Sequence, residues 1–212
     1  MVFKKQKFSK GIIKVFPTLF FLNLLVDFFI SWGYNAIMKI VILGYSGSGK
    51  STLARAFAQK YGLKVIHLDS IRFMEGWKER SFEEMSEIVG KFMDENENWV
   101  IDGNFSNVLY DRRLSEADLI VELLFNRFTC LFRVYKRYRK YKNKTRPDMA
   151  EGCTEKLDKE FVSWILRDGR QKKQKTRYKM VKEKYGDKVV VIKNQRSLSK
   201  FTKNIDKIKL SD

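Results

Sequence analysis

The stretch from residue 44 to residue 51 constrains the fold of this chain more than any other feature. It reads Gly-Tyr-Ser-Gly-Ser-Gly-Lys-Ser and fits the pattern G-x-x-x-x-G-K-[ST]. Residues 38–43 form a short β-branched run that is typical of a buried strand, and residues 52–60 are strong helix formers with apolar positions at helical spacing. A strand, a glycine loop and a helix N-terminus in this order predict an anion-binding cradle.

The residue types in this loop suit a triphosphate. Gly44, Gly47 and Gly49 permit backbone conformations that side chains would forbid, so that successive N–H groups can point at one phosphate. The helix that begins near Lys50 adds its dipole, the Lys50 ammonium can reach the β- and γ-phosphates, and the Ser51 hydroxyl can bind Mg²⁺. The predicted nucleotide-binding residues are Gly44, Ser46, Gly47, Ser48, Gly49, Lys50, Ser51 and Thr52.

The composition indicates a globular protein but does not identify its binding partner. A chain of 212 residues, 44% hydrophobic and 32% charged, is long enough for one α/β domain with a sizeable core. A formal charge of +18 attracts phosphates, nucleic acid or anionic lipid alike. Cys130 and Cys153 lie in different predicted elements, which favours free thiols over a disulfide framework. With His67 as the sole histidine and no C-x-x-C pair, the sequence disfavours a zinc site.

Residues 1–37 form a basic and apolar leader. Lysines precede an apolar stretch that Asp27 interrupts, so the uninterrupted run is too short to predict a membrane span. Bulky residues at 32–36 make a poor signal-peptide cleavage site. The leader is either a helix that lies on a membrane surface or docks on the protein, or it is no part of the working protein, since Met38 stands where the first strand begins. We favour the second interpretation, and we expect a cytoplasmic domain at 38–212, where ATP is supplied.

Strands and helices alternate from Met38 onwards. The pattern predicts strands at 39–43, 64–68, 99–101, 118–125 and 188–193, helices at 50–61, 81–93, 108–113, 128–141, 156–185 and 197–209, and loops around 73–77 and 143–154. Such alternation calls for an α/β fold with a parallel sheet and helices on both faces. Ligands in these sheets bind beyond the carboxyl ends of the strands, which gathers the glycine loop, Asp69 and Asp102 around one cleft.

Two aspartates near the predicted cleft are candidate catalytic residues. Asp102 ends an apolar strand, where a P-loop enzyme places its Mg²⁺-associated carboxylate; alternatively, it is a turn aspartate before Gly103. Asp69 can accept a hydrogen bond from a substrate hydroxyl or act as a base, or it can cap a turn or helix. We expect His67 to be a hydrogen-bonded core histidine, and Arg72 either to bind a phosphate or to be solvated.

Basic side chains dominate the segment from residue 133 to residue 146. Arg133 and Arg137 share a face of the predicted helix, and Arg146 lies in the polar loop that follows. Arginines on a mobile segment can neutralise charge on a transferring phosphoryl group, although a solvated basic face is the alternative. Tyrosines at 135, 138 and 141 can stack on nucleic-acid bases or pack one side of the helix.

Five segments occur in an order that suggests a family: Gly44 to Thr52, His67-Leu68-Asp69, Trp99 to Phe105 with its D-G-N-F run, Arg133 to Arg137, and Thr145 to Cys153 with its R-P-D-M-A-E-G-C run. Together they resemble the adenylate-kinase-like P-loop NTPases known as DNA topology modulation proteins. The resemblance covers almost everything from Met38 to the C-terminus. Its combination of motifs is much more specific than the P-loop alone.

The resemblance implies a three-layer P-loop NTPase fold, with a five-stranded parallel sheet, helices on both faces and a small lid around residues 143–155. It also implies the use of ATP and Mg²⁺ and phosphoryl transfer to a nucleotide-like acceptor. By motif position it suggests Asp102 near Mg²⁺, Asp69 near the acceptor, and Arg133 and Arg137 near the phosphates. The lid would include Arg146.

The chain departs from the family pattern at two places. Members often carry Leu-Asp and a proline at the end of the fourth strand, where Leu124 and Asn126 stand here and Glu122 lies two residues before Leu124. An aromatic residue commonly follows the H-L-D segment, at the position of Arg72. These departures concern the shape of the acceptor pocket.

Two hypotheses of function follow from the sequence. The first is a Mg²⁺-dependent phosphotransferase that uses ATP and a small phosphoacceptor. Its catalytic residues would be Lys50, Asp69, Asp102, Arg133, Arg137 and Arg146, with Ser51 and Asp102 at the metal. The alternative is an ATP-responsive nucleic-acid-binding regulator, supported by the net charge and the basic segments at 133–146 and 167–184. A membrane-associated P-loop protein is a third interpretation and rests on the leader alone.

Overall fold

The structure is a computed structural model that describes residues 38–207, so the predictions for the leader and for residues 208–212 lie outside the described residues. In chain order the elements are β1 (Lys39–Gly44), α1 (Lys50–Tyr61), β2 (Lys64–His67), α2 (Leu68–Arg72), β3 (Phe73–Met74), β4 (Lys78–Glu79), α3 (Phe82–Glu95), β5 (Trp99–Asp102), α4 (Tyr110–Glu116), β6 (Leu119–Leu123), α5 (Arg127–Tyr141), α6 (Lys159–Leu166), α7 (Lys172–Tyr185), β7 (Val189–Ile192) and α8 (Gln195–Lys207).

Five parallel strands form the central sheet in the order β2-β5-β1-β6-β7. Their side chains alternate between two apolar cores because successive residues of a strand point to opposite faces. One core packs the sheet against α1, α5 and α8, and the other packs it against α3, α4 and α7. The predicted α/β fold, with a parallel sheet between two helical layers, is confirmed. Cys130 and Cys153 are both buried and free, as the sequence predicted.

Side chains cap the N-termini of several helices, among them α3 and α5. Glu84 donates its backbone N–H to the Ser81 hydroxyl at 3.1 Å, and Ser81 donates its own to the Glu84 carboxylate at 3.0 Å, so a capping box starts α3. Asn126 caps α5 by accepting a hydrogen bond from the backbone N–H of Thr129 at 2.8 Å. The residue that departs from the family pattern therefore starts the helix that carries Arg133.

The prediction of one long helix over 156–185 is wrong, because the chain folds there into α6, a 3-10 turn at Asp168–Arg170, and α7. Asp158 caps α6 by accepting from the Phe161 N–H at 2.8 Å. At the turn, Arg170 is directed inward and donates to the carbonyl oxygens of Ile165 at 2.8 Å and Phe125 at 2.9 Å. Bonds to a distant segment thus outweigh the helix propensity of the sequence.

The region after β2 also differs from prediction. The strand ends at His67, so Asp69 lies in the first turn of α2 and not at a strand end. The expected loop around 73–77 contains the antiparallel hairpin of β3 and β4. Arg72 contacts this hairpin and the start of α3. Its guanidinium pairs with Glu79 of β4 and lies 4.5 Å from the centre of the Phe82 ring. The Arg72 side chain is only 15% exposed, so the expectation that it is solvated is wrong, whereas phosphate binding stays a prediction.

Within residues 38–207, no helix has both the length and the apolar character needed to cross a membrane.

Candidate functional site

The loop between β1 and α1 depends on close backbone approaches. Gly44, Gly47 and Gly49 have φ angles of 141°, 76° and 100°, which favour glycine. A Cβ atom would lie 2.4 Å from the Leu123 carbonyl oxygen at Gly44 and 2.6 Å from the Cys130 carbonyl oxygen at Gly47. The loop is consequently held between the end of β6 and the side of α5, in the position where the sequence places a phosphate cradle.

Positive charge converges on this loop. Helix α1 starts after Gly49 without a side-chain cap from the described residues, so its first amides and its dipole face the cleft. Lys50 folds back and donates to the Tyr45 carbonyl oxygen at 3.3 Å, and Arg133 donates to the Ser48 carbonyl oxygen at 2.5 Å. The arrangement is that of an anion-binding site. In the first turn of α1, Ser51 is half-buried and Thr52 is exposed.

Three side chains from other segments support the loop. Asn104 accepts from the Gly44 N–H at 3.0 Å and donates to its carbonyl oxygen at 2.6 Å. Trp164 donates its indole N–H to the Ser46 hydroxyl at 3.2 Å, and the Arg170 guanidinium lies 3.8 Å from the centre of the Tyr45 ring. Sequence reasoning assigned none of these a role. Asn104 lies in the D-G-N-F run, which could have indicated its role, whereas no motif of the sequence includes Trp164 or Arg170.

Asp102 is 3% exposed at the end of β5. Its Oδ1 lies 3.1 Å from Nδ1 of His67, which confirms the prediction of a hydrogen-bonded core histidine. Its Oδ2 is buried and has no hydrogen-bond partner among the described residues. A buried carboxylate oxygen of this kind requires a partner, so Asp102 is suited to hold a metal ion or a metal-bound water.

Asp69 lies beside the other charged groups of the cleft. Although Asp69 is accessible to solvent, protein surrounds it closely enough that desolvation raises the pKa of its carboxyl. Lys50 and Arg146 oppose this rise in pKa, while Asp102 and Asp148 add to it. These electrostatic interactions require the five groups to lie near one another, although four different segments supply them.

The lid segment carries a chain of alternating charges. Arg137 and Arg146 both contact the buried carboxylate of Glu155, at 2.7 Å and 2.6 Å, and Arg146 also contacts Asp148 at 3.1 Å. Asp148 in turn contacts Arg55 of α1 at 3.0 Å. Burial alone would raise the pKa of Asp148, but Arg146 and Arg55 outweigh it and lower that pKa. The network links the lid to the helix that follows the glycine loop.

The lid also packs on the β3–β4 hairpin. The Cys153 thiol contacts the Met74 carbonyl oxygen at 3.1 Å. Gly152, with φ of 77°, lies so close to Glu75 that a Cβ atom would meet its Cγ at 2.6 Å. The segment 143–155, which the sequence predicts to be a lid, therefore contacts both α1 and the hairpin.

The geometry suits Mg²⁺ brought by a nucleotide. Among residues 38–207, no group of three histidine, cysteine, aspartate or glutamate side chains could hold a metal ion without help. Mg²⁺ at phosphotransfer sites is bound through one or two protein oxygens together with phosphates and water. One buried carboxylate, Asp102, and one helix-terminal hydroxyl, Ser51, match that requirement.

The loop, the parallel sheet and the helices on both faces make up an α/β fold of the P-loop kinase type. The model of the family described as "ATPase family associated with various cellular activities (AAA)" matches residues 40–102, which run from β1 to Asp102. That match covers less than half of the chain.

The fold is also found in a solved structure. Shikimate kinase from Acinetobacter baumannii, solved in complex with shikimate, is similar with 19% identity and a TM-score of 0.54, over 85% of this chain and 97% of its own. An uncharacterized protein from Eubacterium ventriosum is similar with 15% identity and a TM-score of 0.42, over 81% of this chain and 98% of its own. No curated protein sequence matches the chain.

Proposed function

We propose that this chain is a Mg²⁺-dependent phosphotransferase that moves a phosphoryl group from ATP to a small acceptor. The observation that carries the proposal is the convergence of Lys50 and Arg133 on an uncapped helix N-terminus, with the acidic groups of Asp69 and Asp102 beside it. Cations and amides can hold a triphosphate there. The carboxylate of Asp102 can bind Mg²⁺, and that of Asp69 can accept the proton of an acceptor hydroxyl.

The donor triphosphate would bind in the glycine loop. Phosphate oxygens would accept hydrogen bonds from the first amides of α1, and Lys50 would exchange its long bond to the Tyr45 carbonyl oxygen for a phosphate. Ser51 and Asp102 would hold Mg²⁺, which supplies charge neutralisation on the phosphate oxygens. Arg133 would remain beside the loop, where its hydrogen bond to the Ser48 carbonyl oxygen places it.

The acceptor would bind between Asp69 and the lid. The raised pKa of Asp69 brings its carboxylate closer to the basicity that deprotonation of a hydroxyl requires near neutral pH. Arg137 and Arg146 would stabilise charge on the transferring group, and the lid would exclude water from it. The resemblance to adenylate-kinase-like proteins favours a nucleotide-like acceptor, and the similarity to a shikimate kinase favours a small molecule.

A coupled assay of ADP formation tests the proposal. The acceptors are nucleoside monophosphates, nucleosides and hydroxylated acids such as shikimate, each compared with the rate without acceptor. We expect one class to raise the rate, and Lys50→Ala to lower the raised rate by about 10²–10³-fold. Lys91→Ala, which removes an exposed lysine of α3, is the matched control and should retain the rate. The proposal fails if no acceptor raises ADP formation, or if Lys50→Ala matches Lys91→Ala.

A surface of α5 supports a nucleic-acid-binding regulator as the second candidate function. Phe132 and Tyr135 are about half exposed, and the Lys136 ammonium lies 4.7 Å from the centre of the Phe132 ring. Exposed aromatic rings beside cations can stack on bases. This candidate predicts binding to single-stranded DNA or RNA that weakens steeply as salt rises. Absence of binding at low salt would reject it.

A further inference from the structure

A second cavity lies on the other side of the glycine-loop strand from Asp102. It has a volume of about 420 Å³ and opens between α7 and the carboxyl ends of β6 and β7. Glu122 of β6, which lines it, is in register with Leu43 of β1 and Val191 of β7, whereas Asp102 is paired with β1 from the β5 side. The cavity is thus separate from the proposed acceptor cleft, and Tyr45 of the glycine loop forms part of its wall.

Glu122 is a buried carboxyl side chain near the end of β6. Its side chain is 1% exposed, and its Oε1 forms no hydrogen bond with any described residue. Lys182, the cation that most affects it, already donates to the carbonyl oxygens of Gly186 at 2.9 Å and Val189 at 3.1 Å. Burial raises the pKa of Glu122 to about 8, so at neutral pH the carboxyl is mostly protonated and can both donate and accept. A buried carboxyl of this kind is stabilised when a molecule in the cavity forms a hydrogen bond with it.

The walls and the mouth of the cavity differ in character. Tyr45 and Tyr178, whose rings meet edge to face at 5.4 Å, form the walls with the aliphatic Leu124 and Val191. The lining also includes three exposed lysines, Lys175, Lys179 and Lys193, and one exposed carboxylate, Glu183, which pairs with Lys179 at 3.3 Å. An apolar, partly aromatic body and a cationic rim suit a flat molecule that carries an anionic group.

We propose that this cavity is a second ligand site and that it binds a nucleoside monophosphate. The base lies between the tyrosine rings and the aliphatic walls, and its hydrogen-bonding edge meets the Glu122 carboxyl. The phosphate lies among the lysines. The volume lies within the usual range of small-molecule pockets. The site does not depend on phosphoryl transfer by the first site.

Calorimetric titration of the full chain with each common nucleoside monophosphate tests this site. A saturating, non-hydrolysable ATP analogue with Mg²⁺ is present, so that the glycine loop is already filled. We expect saturable binding of the monophosphates. Ribose 5-phosphate, which lacks the base, and the free nucleosides, which lack the phosphate, should each bind at least about tenfold more weakly. If the analogue abolishes all monophosphate binding, the cavity is only the base pocket of the ATP site, and the proposal is overturned.

Variants then assign the binding to the cavity. Glu122→Leu, which removes both the donor and the acceptor, should weaken it about tenfold, and Lys179→Ala or Lys193→Ala about threefold each. Lys173→Ala removes an equivalent charge from the opposite side of α7 and should change nothing. Asp69→Asn separates this site from the acceptor cleft: if it abolishes binding while Glu122→Leu has no effect, the monophosphate is the acceptor and the cavity proposal is wrong. Absence of saturable binding by the natural chain overturns the cavity proposal and leaves the ADP assay to decide the first site.

Discussion

Gly47 determines how closely the glycine loop can approach α5. Its φ of 76° and the 2.6 Å that would separate a Cβ atom from both the Cys130 oxygen and Val134 Cγ2 leave no room for a side chain. Gly47→Ala should lower the free energy of unfolding by about 2–4 kcal/mol, because backbone strain adds to overpacking. Urea denaturation measures the change.

Gly62 offers a matched control for this substitution. It has a similar φ of 66° at the end of α1, but a Cβ atom would meet nothing within 4 Å. Gly62→Ala should therefore cost only about 1 kcal/mol from strain. Equal losses at the two positions would show that close packing at Gly47 is not the cause.

Glu122 should make stability depend on pH in a direction unusual for a carboxyl. Its pKa in the folded state is about 8, above the usual value of 4.5, so the folded state binds this proton more tightly than the unfolded state. Ionisation of Glu122 therefore lowers the free energy of unfolding. This loss is absent below about pH 4.5, grows between pH 4.5 and 8, and is constant at higher pH. Lys182 reduces this effect, and the nearby Tyr45, Tyr110 and Tyr178 stay neutral over the range.

Comparison of Glu122→Gln with the natural chain measures this effect. The variant should gain free energy of unfolding relative to the natural chain as pH rises from 5 to 8.5, by on the order of 2–4 kcal/mol. Urea denaturation at pH 5, 7 and 8.5 gives the difference. A difference that stays constant with pH would contradict a raised pKa.

At the scale of elements, the lid is held by one carboxylate between two arginines. Glu155 is 3% exposed in its side chain and contacts both Arg137 and Arg146. Glu155→Gln leaves two partly buried cations without full compensation, which should cost about 3 kcal/mol and speed hydrogen exchange in residues 143–155.

Glu95→Gln is the control for the lid prediction. The Lys91–Glu95 pair is an exposed pair on α3, with 74% and 60% of the two side chains accessible, and its loss should cost less than about 0.5 kcal/mol. If Glu155→Gln were as mild as Glu95→Gln, the network would not hold the lid.

Some secondary-structure elements were predictable from the sequence and others were not. The strands and α1 were predictable because the period of hydrophobic residues and the glycine pattern act over a few neighbours. Helices α6 and α7 were not separated, because the break at Asp168–Arg170 depends on bonds from Arg170 to Phe125, far away in the chain. The β3–β4 hairpin was missed because its strands have only two residues each.

At the scale of the whole molecule, we predict that the chain from Met38 contains the complete nucleotide-binding domain. Met38 donates its backbone N–H to Asn98 Oδ1 at 2.5 Å and packs against the core next to β1. A chain that begins at Met38 should bind Mg²⁺-ATP with an affinity within about twofold of the full chain, since the site lies within residues 44–155. Calorimetry measures both affinities.

A chain that begins at Val41 is the negative control. It lacks the first residues of the central strand, which pair with both β5 and β6, so it should not fold. A loss of Mg²⁺-ATP binding by the Met38 form would contradict the predicted domain boundary and assign the leader a part in the site.

By itself the sequence determined the glycine loop, the α/β alternation and the identities of the charged candidates, because these depend on local periodicity and on residue chemistry. Only the tertiary structure decided which distant groups meet: Asn104 with Gly44, Glu155 between Arg137 and Arg146, and Glu122 beneath α7. Glu122 shows the physical reason. A single carboxyl in an apolar strand becomes a buried group, with one oxygen unpaired among residues 38–207, once β1 and β7 pair on either side of β6, and no local pattern specifies that order of strands.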